Sequence, residues 1–93
     1  MARSEVFEKD WFKLEQEIIY QEKALNTGVF SSGYFYDFYQ EKEALSAEQF
    51  VLNSELKDCV KDTSILKTNN GFTELYRLTV VLDLDKVGED YKK

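Results

Sequence analysis

The N-terminal quarter of the chain carries an apolar stripe with helical spacing. Apolar residues recur at intervals of mostly three and four, at Phe7, Trp11, Leu14, Ile18 and Leu25. This spacing keeps them on one side of a helix. Ser4 precedes the stripe as a suitable N-cap, and residues 26–28 (Asn-Thr-Gly) can end a helix in the left-handed conformation. The pattern therefore predicts a first helix over residues 4–25.

The middle of the chain fits two patterns. Residues 34–39 alternate like a strand, but strong helix formers follow directly in residues 40–45 and favour a helix. A seven-residue repeat connects Phe38, Leu45, Leu52 and Cys59. This repeat favours a second helix over about 34–62, whereas a capping-box sequence at Ser46 favours a break there. We expect this helix to lie antiparallel to the first, because the connection between them is short.

The last third of the chain switches to strand alternation. Six apolar residues occupy even positions, at Phe72, Tyr76, Leu78, Val80, Leu82 and Leu84. Residues 70–71 (Asn-Gly) are the preferred pair for a two-residue type I′ hairpin turn. Such a turn sets Lys67 opposite Glu74 and Ile65 opposite Tyr76, so that charge meets opposite charge and apolar meets apolar. The pattern predicts an antiparallel hairpin.

The first strand of this hairpin, about 63–68, is too short to pair with all of 72–84. Residues 80–84 therefore need another partner, either a strand from the region 29–39 or the same strand of a second chain. The predicted fold class is α+β: an antiparallel helical pair, its second helix long or broken near Ser46, packed with a C-terminal antiparallel β-hairpin or small sheet. We expect one domain over residues 1–93, with a mobile tail from about residue 87.

Composition excludes most kinds of chemistry. The chain has 93 residues, of which 43% are hydrophobic and 32% charged, as in ordered globular domains. It has no histidine and one cysteine, Cys59, which removes the commonest general base and the zinc sites built from several Cys and His. We therefore expect no enzyme activity, no metal and no cofactor.

Charge and hydropathy exclude two classes of binding partner, nucleic acids and membranes. Twelve basic against 18 acidic residues give a net charge of −6, which argues against direct nucleic-acid binding because that requires clustered Lys and Arg. No apolar run approaches the ~20 residues that span a bilayer. The charged N-terminus and the single cysteine favour a cytoplasmic protein without a membrane partner.

Two features remain as candidates for binding. Five aromatic residues fall within 34–39, and we expect some of them to face outwards, as tyrosines at protein interfaces do. Acidic residues repeat every seven positions on both predicted helices, and such a face attracts a basic partner. These two acidic stripes are Glu8, Glu15 and Glu22 on the first helix and Glu41, Glu48, Glu55 and Asp62 on the second. The predicted partner-binding residues are Tyr34, Tyr36, Asp37, Tyr39, Glu41, Glu48 and Glu55.

In bulk properties the whole chain resembles the small inhibitors carried by phages and mobile elements, including anti-restriction, anti-CRISPR and immunity proteins. The resemblance implies a non-enzymatic inhibitor or modulator that occupies a basic site on a partner protein. In its sharper form, the protein is an acidic DNA mimic and the partner is a nucleic-acid-binding protein. The alternative is a structural or assembly subunit that forms a homo-oligomer, such as a homodimer, through its aromatic patch and open strand edge.

Overall fold

The computed structural model describes residues 3–89 and 91. In chain order the elements are α1 (Glu5–Gln21), β1 (Asn26–Phe30), β2 (Gly33–Phe38), α2 (Glu41–Leu52), a 3₁₀ turn (Lys57–Cys59), β3 (Val60–Asn69), β4 (Glu74–Leu82) and α3 (Leu84–Val87). The four strands form one antiparallel sheet in the order β1-β2-β4-β3. The predicted α+β class is confirmed.

Helix α1 begins as its sequence predicts but ends earlier. The Ser4 hydroxyl accepts a hydrogen bond from the Phe7 N–H at 3.1 Å, which caps the first turn. The helix ends at Gln21, and the chain turns at Lys23, whose φ of 63° lies in the left-handed region. Residues 26–28 are therefore part of strand β1 and do not end the helix.

The predicted long second helix is wrong, because its first part is a strand. Strand β2 buries Tyr34, Tyr36 and Phe38, since alternate residues of a strand point to the same face. It pairs with β1 on one side and with β4 on the other. Aromatic residues suit such a central strand, and pairing on both sides outweighs the helix propensity of the residues that follow.

Helix α2 is short and runs unbroken through Ser46. It begins after Gln40, whose backbone N–H donates to the Glu43 carboxylate at 3.1 Å, so the capping interaction lies six residues before Ser46. A β-hairpin, not a short loop, connects α1 to α2. Both helices pack on the sheet face that carries Tyr36.

Strands β3 and β4 form the predicted hairpin with a longer loop. Asn69 lies opposite Glu74 and Lys67 opposite Tyr76, so the register differs by two residues from the prediction. A shift of two keeps every side chain on its face of the sheet. Lys67 still reaches Glu74 with a nitrogen–oxygen distance of 3.0 Å. Residues 80–84 were predicted to need a partner from the region 29–39 or from a second chain. Strand β2 pairs with residues 76–81 and so reaches residues 80 and 81 of that range, while β3 is longer than predicted and pairs as far as Leu82.

The core lies between the sheet and helices α1 and α2. The Trp11 ring stacks on the Tyr34 ring with 4.7 Å between centroids. Val87 and Tyr91, which the sequence placed in a mobile tail, pack against this layer. The Val87 carbonyl accepts from the Ser4 N–H at 2.8 Å, and the Tyr91 ring meets Phe7 edge-on at 5.2 Å. Asp90, Lys92 and Lys93 of that tail lie outside the described residues.

Candidate functional site

The structure buries two of the tyrosines predicted to bind a partner. Tyr34 and Tyr36 are 6% and 0% exposed. The Trp11 Nε1–H donates to the Tyr36 hydroxyl at 2.8 Å, and that hydroxyl donates to Glu15 Oε2 at 2.7 Å. Burial raises the pKa of Tyr34 to about 12. The pKa of Tyr36 is also raised, mainly by burial and secondly by the negative charge of Glu15. These rings stabilise the core and offer no surface to a partner.

Asp37 and Tyr39 have opposite environments. Asp37 is buried on the other face of β2. It accepts two hydrogen bonds from Arg77, at 2.8 Å from Nε and 3.1 Å from Nη2. Hydrogen bonding to Asp37 raises the pKa of the guanidinium. Tyr39 is 60% exposed just beyond the end of β2. Of the three predicted tyrosines, Tyr39 alone is available at the surface.

Of the two predicted acidic stripes, the first lies along α1 and its C-cap, whereas the second does not form a continuous line. Three of their carboxylates accept hydroxyl hydrogen bonds, Glu15 from Tyr36, Glu22 from Ser46 and Glu48 from Thr63. Glu41 is exposed in the first turn of α2, whereas Glu55 is exposed beyond the end of that helix at Leu52. The structure therefore separates Glu41 from Glu55, which the longer helix would have aligned.

Glu55 lines a groove between α1 and the segment that follows α2. The groove has a volume of about 700 Å³. Its apolar wall is formed by Leu14, Phe50 and Leu56, of which both leucines are buried. Its charged residues are Asp10, Lys13, Glu55 and Asp58. We call this the acidic groove, because three carboxylates face one lysine.

The groove is held in place by contacts between distant parts of the chain. The Tyr91 hydroxyl donates to Asp10 Oδ2 at 2.6 Å. Burial is the larger cause and this hydrogen bond the second cause of a raised pKa of Tyr91. Lys86 donates through Nζ to the backbone carbonyl of Asp58 at 3.1 Å, which ties α3 to the 3₁₀ turn. Long-range contacts therefore fix the side chain of Asp10 and the backbone of Asp58.

The chemistry of the groove favours binding. Cys59 is buried in its wall, and burial raises the pKa of the thiol, so at neutral pH the thiol remains protonated and a poor nucleophile. Within residues 3–89 and 91, no group of three or more His, Cys, Asp and Glu could hold a metal ion. Carboxylates beside an apolar wall suit a cationic side chain with an aliphatic stem.

Phe72 is an exposed aromatic residue that the sequence pattern misplaced. It was predicted inside the second strand, but it lies in the loop before β4 and is 98% exposed. The Asn70 Oδ1 accepts from the N–H groups of Phe72 and Thr73, both at 3.0 Å, and Asn69 Oδ1 accepts from the Gly71 N–H at 2.6 Å. The consecutive asparagines were the available signal, because Asn side chains close such turns on their own backbone.

Comparisons of the chain with protein-family models, with curated proteins and with solved structures found no match. Among the helices that the structure describes, none is long and apolar enough to cross a membrane. A function must therefore be inferred from the geometry and charge of the surfaces themselves.

Proposed function

We propose that the protein is a non-enzymatic binding protein that inhibits or modulates a partner by occupying a basic site. The observation that carries this proposal is the acidic groove, in which Glu55, Asp58 and Asp10 surround an apolar wall. A lysine or arginine side chain of the partner can place its aliphatic stem against Leu14 and Leu56 and its charge against the carboxylates.

The charge of the whole chain supports the same kind of partner. A net charge of −6 attracts a basic surface over a distance of about one Debye length, ~8 Å at physiological salt. Basic sites of nucleic-acid-binding proteins are built to accept phosphates, and carboxylates can take the place of phosphates there. Glu41 and Tyr39 are exposed near the start of α2. In this proposal Glu41 attracts the basic partner, and Tyr39 contacts it at the edge of the interface.

The alternative, a homo-oligomer formed through the aromatic patch and the open edge of β4, receives no support from these two features. Tyr34 and Tyr36 are part of the core, and β4 is paired on both sides within the chain. Binding of a basic partner therefore stands as the function that the geometry supports best.

The test uses a synthetic peptide of arginine and leucine residues as the probe. In a titration of isotope-labelled protein, we expect NMR shift changes to concentrate around the groove. The double variant Glu55→Gln/Asp58→Asn should weaken binding about tenfold, since each rim ion pair contributes up to ~1 kcal/mol. The matched control is Glu5→Gln/Glu17→Gln, which removes the same charge from exposed positions on α1 outside the groove.

Two outcomes would contradict the proposal. One is an equal loss of affinity in the groove variant and in its control, and the other is a set of shift changes spread evenly over all carboxylates. Raising the salt concentration should slow association, because screening removes long-range attraction. The DNA-mimic form further requires that the protein displace duplex DNA from a basic DNA-binding protein, for which a linker histone serves as probe. Failure there, with peptide binding intact, leaves plain protein binding.

A further inference from the structure

One face of the sheet is not covered by α1 or α2, and its residues follow from the strand register. Across β1, β2, β4 and β3 its rows are Asn26, Asp37, Arg77 and Leu66, then Gly28, Phe35, Thr79 and Ser64, then Phe30, Gly33, Val81 and Asp62, with Leu75 and Thr68 nearest the hairpin loop. We call this the open face. The core side chains occupy the alternate positions of the same strands and point the other way.

The open face is depleted of charge in a strongly charged chain. Of the residues that the register places there, Asp37, Arg77 and Asp62 are charged, and the first two form an ion pair. Lys61, at the bulge beside Asp62, lines a pocket together with Val81 of this face. The remaining charges, Lys61 and Asp62, have opposite signs and are adjacent on the edge strand β3, so the face is close to neutral. Depletion of charged residues, with arginine and aromatic residues retained, is typical of the centre of a protein interface.

The centre of the open face is also held in one conformation. The Arg77 guanidinium lies 4.3 Å from the centroid of the Phe35 ring while its nitrogens bind Asp37. The Phe35 ring also covers Gly28, where an added Cβ would lie 2.1 Å from the ring. A side chain that is already fixed loses little conformational entropy when a partner covers it. Beside this centre, Leu66 is 65% exposed.

We propose that the open face packs against the open face of a second copy, forming a homodimer with two sheets inside and the helices outside. Charge favours this occupant, because two copies of net charge −6 that meet through a nearly neutral face bring no like charges into direct contact. A basic partner would find almost no opposite charge on this face. Neutral apolar and hydroxyl side chains can instead pack at the ~10 Å spacing of stacked sheets.

The size of the open face sets the strength of the dimer. Four strands at ~4.8 Å by about seven residues at ~3.4 Å give a footprint of about 450 Å² on each copy. The pair buries roughly 900 Å² in projection, below the ~1,200 Å² of stable specific interfaces and within the range of weak, transient ones. The dimer is therefore expected to dissociate on dilution. It leaves the acidic groove uncovered, because that groove is formed on the helix side of the sheet, so the dimer does not depend on the proposed function.

Sedimentation velocity from about 10 to about 500 micromolar tests the proposal, a range that brackets weak dimers. The average mass of the wild type should rise towards that of two chains. Leu66→Lys should weaken association at least tenfold, because it places two cations in an apolar contact. The matched control is Leu45→Lys, a leucine 47% exposed on α2, which should associate like the wild type.

Salt separates the dimer from groove binding. Raising the salt concentration should strengthen dimerisation, since it screens the repulsion between two acidic copies, whereas it should weaken binding of a basic peptide. The groove variant Glu55→Gln/Asp58→Asn should dimerise at least as well as the wild type.

The homodimer is refuted if the wild type stays monomeric throughout the concentration range, or if Leu45→Lys disrupts it as much as Leu66→Lys does. Circular dichroism verifies that each variant is folded. Should Leu66→Lys fail to fold, Ser64→Lys changes an exposed residue of the same face and must weaken the dimer instead.

Discussion

Substitution of Tyr36 by phenylalanine isolates the buried hydrogen bonds between α1 and β2. The ring remains and the hydroxyl is lost, so the Trp11 Nε1–H keeps no acceptor at 2.8 Å and Glu15 loses its donor at 2.7 Å. Trp11 is 1% exposed, so water cannot readily replace the lost acceptor. The half-buried Glu15 can turn to solvent.

These contacts give the expected magnitude. A neutral hydrogen bond contributes about 1 kcal/mol net, one to a carboxylate about 1.5–3 kcal/mol, and a buried donor without a partner costs about 1–3 kcal/mol. Allowing for water at Glu15, we expect Tyr36→Phe to lower the free energy of unfolding by about 2–3 kcal/mol. A chain of this length has about 5–14 kcal/mol in total, so the melting temperature should fall by roughly 10–20 °C.

Urea unfolding followed by the fluorescence of Trp11 measures this loss, because the chain has one tryptophan and its ring stacks on Tyr34. The matched control is Tyr20→Phe, which removes the same hydroxyl from a side chain that is 75% exposed and should change stability by less than about 0.5 kcal/mol. A double-mutant cycle with Glu15→Gln should show a coupling free energy above about 0.5 kcal/mol.

The predicted contribution of the Tyr36 hydroxyl is refuted if Tyr36→Phe lowers the free energy of unfolding no more than Tyr20→Phe does. It is also refuted if the effects of Tyr36→Phe and Glu15→Gln simply add, since the carboxylate would then not interact with the hydroxyl.

Three further predictions concern pH, exposure and glycine. Burial raises the pKa of Tyr34 to about 12, so the unfolded chain loses this proton near pH 10 while the folded chain keeps it; stability measured by circular dichroism should be full below pH ~10 and fall as the pH rises towards 12, and a flat profile would contradict this. Phe72→Ser should leave the urea midpoint nearly unchanged, whereas Phe38→Ala, at a fully buried ring, should cost about 3–5 kcal/mol; a large loss at Phe72 would show that its ring packs in solution. Gly33→Ala should destabilise more than Gly28→Ala in thermal unfolding, because its Cβ would lie 1.8 Å from a backbone carbonyl of β4 rather than 2.1 Å from a side-chain ring that can move; the reverse order would refute this.

The proposed binding surfaces depend on contacts that no local pattern contains. Glu55 was predicted to bind as part of a helical stripe, but its neighbours in the groove, Asp10 and Leu14, lie about 40 residues earlier in the chain. Tyr34 and Tyr36 were predicted to lie partly at the surface because six residues hold five aromatics, and a single strand cannot bury both of its faces alone. Helix α1 covers one face of β2, and Arg77 lies over Phe35 on the other.

The sequence by itself determined the elements whose signal is local. Ser4 and a one-sided apolar stripe specify α1, and period-two alternation specifies β4 and its hairpin, since both patterns arise from the geometry of a single element. Tertiary structure decided the state of residues 34–38, where helix and strand patterns were nearly balanced. Pairing with β1 and β4 satisfies the backbone of β2 on both sides, and packing against Trp11 buries its tyrosines, so contacts from distant parts of the chain select the strand.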